Sequence, residues 1–240
     1  MKKIVFLGAP DKSHVLLLLG KLLAAMDYKV LMVDSTLAQT TQGYLPQEEL
    51  RAPLYEFEGV DVACGFILYS QMERYLYQKA NGMDYDVMLM DTDHTEMVKG
   101  RELPHYDKRI WCSNFNRLTM QRNVELMQRL CLHEAQNQPV SFYKMMLSVV
   151  PLTISEAYLD SAFAQQTIRW EEAVFRFPLD ERDVSAELEN QHHGRIDVKG
   201  LSGTYRRTIW EMAQQLFDWD DKTVRRAWKR LRQERAAFRR

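Results

Sequence analysis

Lys3-Ile4-Val5-Phe6-Leu7-Gly8-Ala9-Pro10-Asp11-Lys12-Ser13-His14-Val15 is the stretch on which the reading of the whole chain turns. A β-branched apolar run enters a tight turn ending in Lys-Ser, and the apolar face of a helix follows. This reads as a strand feeding a phosphate-type loop. In a working loop of that kind, glycines let backbone N–H groups face the phosphates, a lysine reaches the β- and γ-phosphates, and a Ser or Thr hydroxyl ligates Mg2+. Gly8, Lys12 and Ser13 stand where such a loop would put them, whereas Ala9 and Asp11 fill positions where glycine would allow close backbone approach.

Asp11 carries two readings. A carboxylate at a helix N-terminus sits where a phosphate would be stabilised, and there it repels ATP. The same residue is also an ordinary N-cap on a βα turn, worth about 0.5–2 kcal/mol to the helix.

At 240 residues, 46% hydrophobic and 27% charged, the chain is long enough for one α/β domain with a full core and is globular rather than disordered. The net charge of −1 hides an asymmetry. Residues 221–240 carry nine Lys/Arg against Asp221 and Glu234, a local net of +7, so the preceding 220 residues carry −8. An acidic body with a basic tail points to an anionic surface as a partner. Cys64, Cys112 and Cys131 are too scattered for a disulfide framework and are expected to be reduced core thiols of a cytoplasmic protein. No signal peptide or run of about 18 apolar residues is present.

Outward from the loop, Val15–Met26 reads as a helix apolar on most sides, and Val30-Leu31-Met32-Val33-Asp34 as a second buried strand ending in an acid. Two apolar strands joined by a helix form a βαβ unit with parallel strands. Residues 35–53 read as a polar loop containing Pro46, with room for one helical turn, Leu54–Val60 as a short edge strand, and Ala63–Gln78 as a helix. Tyr85-Asp86-Val87-Met88-Leu89-Met90-Asp91 repeats the buried strand ending in an acid. Further strands are expected at Arg109–Ser113, Phe142–Val150 and Ala173–Phe177, with helices at Thr119–Leu132 and about 154–165, 181–190 and 204–217. The expectation is a single doubly wound, mostly parallel sheet flanked by helices over residues 1–219, with a basic C-terminal helix over 220–240.

The loop at 8–13, the strand ending in Asp34 and the strand ending in Asp91-Thr92 together resemble the MinD/ParA family of deviant Walker A ATPases. Phe175-Arg176-Phe177-Pro178-Leu179-Asp180 and Gly203-Thr204-Tyr205-Arg206-Arg207 look like that family's closing pattern, so the resemblance covers residues 1–217. It implies a P-loop fold with ATP and Mg2+ as ligands. By that resemblance Lys12 would touch the phosphates and Ser13 would ligate Mg2+. Asp34 would orient the attacking water or the metal shell, and Asp91 would hold Mg2+ through water. On the residues alone, Asp34 and Asp91 equally well terminate strands and cap the next turns. His94 and His105 lack a third ligand at persuasive spacing, so no further metal site is expected.

The departures are informative. The family loop reads K-G-G-x-G-K-[ST], and aligning on Lys12-Ser13 puts Leu7 at the signature lysine, Ala9 at the second glycine and Asp11 at the third. In the family that lysine reaches across a nucleotide-sandwiched dimer, and leucine cannot replace its charge. Leu147-Ser148-Val149-Val150 also offers no amide where the family tends to read adenine with asparagine. The chain is therefore expected to be a degenerate member that hydrolyses ATP poorly, with ATP and Mg2+ as its candidate ligands and binding of neither as the other outcome left open. The expected role is a scaffold or regulator of a membrane-associated machine such as a pilus, secretion, polysaccharide-export or division apparatus. The alternative is an active ATP-dependent dimerisation switch on membrane or DNA.

In the tail, Val224, Trp228, Leu231 and Phe238 fall on one side of a helix, with Arg225 and Arg232 among the cations on the remainder. Such a basic amphipathic helix has three candidate uses: docking on the domain or a protein partner, lying in an anionic membrane interface, and, less favoured, meeting nucleic acid. The expected partners are a protein in a membrane-associated assembly or a second copy of the chain, at the inner face of the membrane.

Overall fold

The computed structural model describes residues 1–45, 52–79, 84–132, 139–164 and 166–238, with side chains beyond residue 233 left undescribed. Eight strands form one sheet: β1 (Lys2–Leu7), β2 (Val30–Asp34), β3 (Leu54–Phe57), β4 (Val60–Cys64), β5 (Val87–Thr92), β6 (Lys108–Ser113), β7 (Val140–Val149) and β8 (Ile168–Pro178). Their spatial order is β3-β4-β2-β5-β1-β6-β7-β8. Every pairing is parallel except that of β3 with β4. The helices are α1 (Ser13–Ala24), α2 (Tyr69–Lys79), α3 (Arg117–Arg129), α4 (Glu156–Ser161), α5 (Glu181–His193), α6 (Gly203–Phe217) and α7 (Asp221–Phe238).

Side chains alternate across a strand, and here both sides are covered. Ile4, Phe6, Val30, Met32, Val87 and Leu89 join the core built with α1, α6 and α7. Val5, Leu7, Leu31, Val33, Met88 and Met90 join a second core with α2 and α3. This explains why the central strands read as unbroken apolar runs. It also brings the carboxyl ends of β1, β2 and β5 together, with Asp34 opposite Asp91 and Leu7 opposite Thr92. In open parallel sheets the crevice outside these ends is where ligands bind.

Several expectations need correction. The single edge strand Leu54–Val60 is the first arm of a hairpin, whose second arm, β4, takes the start of the expected Ala63–Gln78 helix. Glu58 (φ 50°) and Gly59 (φ 84°) form its two-residue turn, and the Glu56 side chain accepts from Gly59 N–H at 2.6 Å. A turn with two positive φ values matches strand twist, but Glu-Gly is a weak signal for it. β8 begins at Ile168 rather than Ala173, and the helix expected at about 154–165 shortens to Glu156–Ser161. Pro46 lies outside the described residues.

The tail is a helix, and its apolar stripe faces inward. Val224, Ala227 and Leu231 are at most 2% exposed and Trp228 is 7% exposed, all within the core shared with α1. Arg230 anchors the docking by donating to Ala25 O at 3.0 Å and pairing with Asp27 at 2.6 Å. Val224 and Leu231, expected at a membrane or partner surface, are instead packed on the domain, where burial is worth about 1.5–3 kcal/mol per large side chain, and Trp228 is largely buried with them while also lining the groove between α6 and α7. Arg225 and Arg232 remain exposed, and the Phe238 side chain lies outside the described residues. Among the described residues no helix is long and apolar enough to cross a membrane.

Candidate functional site

The loop between β1 and α1 is closed on itself. Three of its amide donors are engaged by the protein. Gly8 N–H donates to Thr92 O at 3.1 Å, Ala9 N–H to Asn123 Oδ1 at 2.8 Å, and Ser13 N–H to Asp11 Oδ1 at 2.9 Å. Asn123, on α3, is fully buried and also donates from Nδ2 to Cys112 O at 2.9 Å. Gly8 is required by packing, for a Cβ there would lie 2.1 Å from Cys112 O and φ is +140°. That is a backbone region L-residues avoid.

Lys12 turns inward. Its ammonium donates to Gly8 O at 2.7 Å and Pro10 O at 3.0 Å, and pairs with Asp91 Oδ1 at 2.7 Å. Of the three ammonium donors, two are hydrogen-bonded to carbonyls, while the contact with Asp91 Oδ1 is an ion pair without hydrogen-bond geometry. Burial by itself would lower its pKa, but the adjacent Asp91 charge overrides this and holds it above the ordinary value. Burial pushes the Asp91 carboxyl up, against the pull of Lys12.

Ser13 is engaged as well. Its hydroxyl donates to Asp11 Oδ1 at 2.8 Å and lies 2.6 Å from Thr40 Oγ1, which itself reaches Asp11 Oδ1 at 2.8 Å. The Asp11 carboxylate thus takes the local donors at the start of α1, a position that favours anions. The N-cap of α1 is Lys12 and carries no side-chain cap, so Asp11 is not the N-cap; it organises the turn from one residue before, by accepting from Ser13 N–H, and its charge stands at the start of the helix.

Asp34 is 1% exposed, and both oxygens serve its own loop. Oδ1 accepts from Thr36 N–H at 3.0 Å and Thr36 Oγ1–H at 2.6 Å, and Oδ2 accepts from Thr41 N–H at 3.0 Å. Below it, Ser35 N–H and Oγ–H donate to Asp91 O at 3.0 and 2.8 Å. Lys12, Ser13, Asp34 and Asp91 therefore converge at the carboxyl ends of the central strands, engaged with groups of the protein. Leu7 is fully buried in the second core, far from any role for a mobile charge. Both expected metal residues are engaged within the chain: the Ser13 hydroxyl is hydrogen-bonded to Asp11, and Asp91 is ion-paired with Lys12.

Beside the loop lies a cleft of about 290 Å3, lined by Asp11, Leu147, Ser148, Asp180, Asp183 and Glu187 among others. Burial, reinforced by the Asp11 charge, raises Glu187 to about 7. Asp183 accepts from Ser202 N–H at 2.6 Å and Oγ–H at 2.7 Å. His14 forms the wall: Asn190 Nδ2 donates to its Nε2 at 3.0 Å, so Nδ1–H donates to Tyr205 Oη at 2.7 Å. The Asn190 amide is oriented by Asp197 N–H, which donates to its Oδ1 at 2.8 Å. Burial lowers His14 to about 4, with Asp11 opposing. Carboxylates outnumber cations in the lining, which includes Lys12 beside Asp11, Asp180, Asp183 and Glu187.

Asn123, Thr40 and Glu187 belong to this site and were not singled out from the sequence. Asn123 follows the loop by more than a hundred positions, and a polar residue inside the amphipathic α3 gave the only hint. Among the described residues no group of three His, Cys, Asp or Glu side chains is placed to hold a metal ion.

No family model matches the chain, and no curated protein sequence does. Solved structures do match. The MinC:MinD cell division protein complex of Aquifex aeolicus aligns at TM-score 0.61 and 14% identity, over 92% of this chain and 97% of that one. A ParA family ATPase from Chlorobium tepidum aligns at TM-score 0.56 and 16% identity, over 88% and 98%. The Cyanothece McdA(D38A)–ATP complex aligns at TM-score 0.56 and 15% identity, over 92% and 98%. Coverage of nearly both chains, with a mostly parallel eight-stranded sheet and a loop between β1 and α1, establishes that this chain has the MinD/ParA-like P-loop ATPase fold.

Proposed function

We propose that this protein is a non-catalytic or weakly ATP-hydrolysing scaffold that uses the MinD/ParA-like fold to position or regulate a membrane-associated protein assembly. The observation carrying this reading is the self-occupied loop. Lys12 is locked on Asp91 and two carbonyls, and Asp11 holds the Ser13 and Thr40 hydroxyls. Phosphoryl transfer depends on positioning and charge neutralisation by such groups, and a carboxylate among them opposes both. Leu7, buried where the resemblance calls for a lysine, removes a charge a partner subunit would need. That one neighbour is the MinC:MinD complex supports a protein partner. Contact with a membrane would run through that partner, since the apolar stripe of α7 is buried.

The convergence of Lys12, Ser13, Asp34 and Asp91 favours a second reading, an ATP-dependent dimerisation switch. Calorimetric titration with Mg2+–ATP separates the two, with Lys12→Ala as control and a second temperature against an accidental zero enthalpy. The scaffold reading expects no saturable heat up to about 1 mM nucleotide, a binding free energy weaker than about −4 kcal/mol. Saturable binding abolished by Lys12→Ala would give the switch reading the lead.

A further inference from the structure

A groove of about 720 Å3 runs between α6 and α7 and shares no lining residue with the loop cleft. Arg206, Arg207, Arg225, Lys229 and Arg232 line it, against Glu211 and Asp221. Both acids are engaged within the chain. Glu211 pairs with Arg207 at 3.1 Å, and Asp221 accepts from Gln214 Nε2 at 2.7 Å and Trp210 Nε1 at 3.4 Å. Arg225 lies over the Trp210 ring at 5.8 Å. Lys229 and Arg232 are exposed, and among the described residues no carboxylate pairs with them. Arg225, Lys229 and Arg232 follow i, i+4, i+7 spacing, so they form one cationic row along α7. Trp210 and Trp228 supply the aromatic part of the lining.

We propose that this groove docks an acidic amphipathic peptide segment of a protein partner. Its carboxylates run along Arg225, Lys229 and Arg232, and an apolar side chain packs against Trp210 and Trp228. Three features select this occupant. The unpaired charge is positive in a body that is otherwise acidic, so complementarity demands an anion and steers one to this face. The site is a recess with aromatic lining, which accepts an apolar anchor; a duplex phosphate backbone supplies charge without one. A bilayer needs a protruding apolar stripe, and the one on α7, formed by Val224, Ala227 and Leu231, is buried in the domain. The inference does not depend on whether the loop binds nucleotide.

The test uses the full chain and a fluorescein-labelled helical peptide of about 12 residues, roughly three turns, built from Glu and Leu at helical spacing. Fluorescence anisotropy is expected to show saturable binding that weakens with salt. Affinity is expected to fall at least about tenfold in Lys229→Glu/Arg232→Glu and to a similar degree when Gln replaces Glu in the peptide. Both substituted positions are exposed, and circular dichroism checks that the variant is folded. Hydrogen exchange with bound peptide is expected to protect α6 and α7. Absence of saturable binding up to about 1 mM, or equal affinity in the charge-reversed variant, overturns the proposal. Tighter groove-dependent binding of single-stranded DNA or of phosphatidylglycerol vesicles also overturns it and names the occupant instead.

Discussion

The Lys12 ammonium lies 2.7 Å from Asp91 Oδ1 at the centre of the domain, and the two side chains are 0% and 1% exposed. Removing one partner from such a pair strands the other charge in the interior, at about 3–5 kcal/mol. Lys12→Met is therefore expected to lower stability by that amount in urea unfolding. Combining it with Asp91→Leu is expected to recover most of the loss, because a buried ion pair and an apolar pair of similar volume are often close in free energy. A Lys12→Met variant within about 0.5 kcal/mol of the parent would mean that this lysine is not bound into the fold.

The acidic cleft carries a pH signature. Glu187 titrates near 7, above its ordinary value of 4.5, through burial first and the Asp11 charge second. Because the folded pKa is raised, the stabilising contribution of the neutral carboxyl is complete below about pH 4.5 and is lost as pH rises through about 7. Glu187→Gln is thus expected to gain stability relative to the parent across that window, by about 1–2 kcal/mol after allowance for partial exposure. His14, lowered to about 4, tilts stability the opposite way by losing it as pH falls from 6.5 toward 4. That slope is common to both proteins and cancels in the difference. In an Asp11→Asn background the Glu187→Gln gain is expected to shrink, since one of the two causes is gone.

Docking of the tail predicts asymmetric costs along one helix. Trp228→Ala is expected to destabilise the protein by about 3–5 kcal/mol through loss of buried volume. Arg232→Ala, exposed four residues further along α7, is expected to stay within about 0.5 kcal/mol. Equal small effects in denaturant titrations would indicate that α7 is detached from the domain in solution.

Gly8 separates packing from phosphate binding. A Cβ at this position meets Cys112 O at 2.1 Å, whereas one at Gly203 meets nothing within 4 Å. Gly8→Ala is expected to cost more than about 3 kcal/mol in the absence of any nucleotide. Gly203→Ala, at the first turn of α6, is expected to be neutral or to gain up to about 1 kcal/mol. Thermal unfolding of the two variants side by side checks the contrast.

Local chemistry accounts for what was legible in the chain. Val30–Asp34 and Val87–Thr92 are apolar runs bounded by polar turns, and a run of that kind is a buried parallel strand wherever helices cover both faces. The hairpin between β3 and β4 was missed because its turn is Glu-Gly, and β4, Val-Asp-Val-Ala-Cys, merges by pattern with the helix that follows.

Sequence alone determined the layered sheet, the placement of Asp34 and Asp91 at strand ends, the Lys12-Ser13 loop and the basic helical tail, because strand and helix periodicity and turn chemistry depend on neighbours along the chain. Tertiary structure decided what those groups bond to. Asn123 reaches Ala9 N–H, Thr40 reaches Asp11, Lys12 turns onto Asp91, and Val224, Trp228 and Leu231 settle on the domain. Each outcome joins residues distant in sequence, and hydrogen-bond donors and apolar faces are assigned only when the packed core brings their partners within reach.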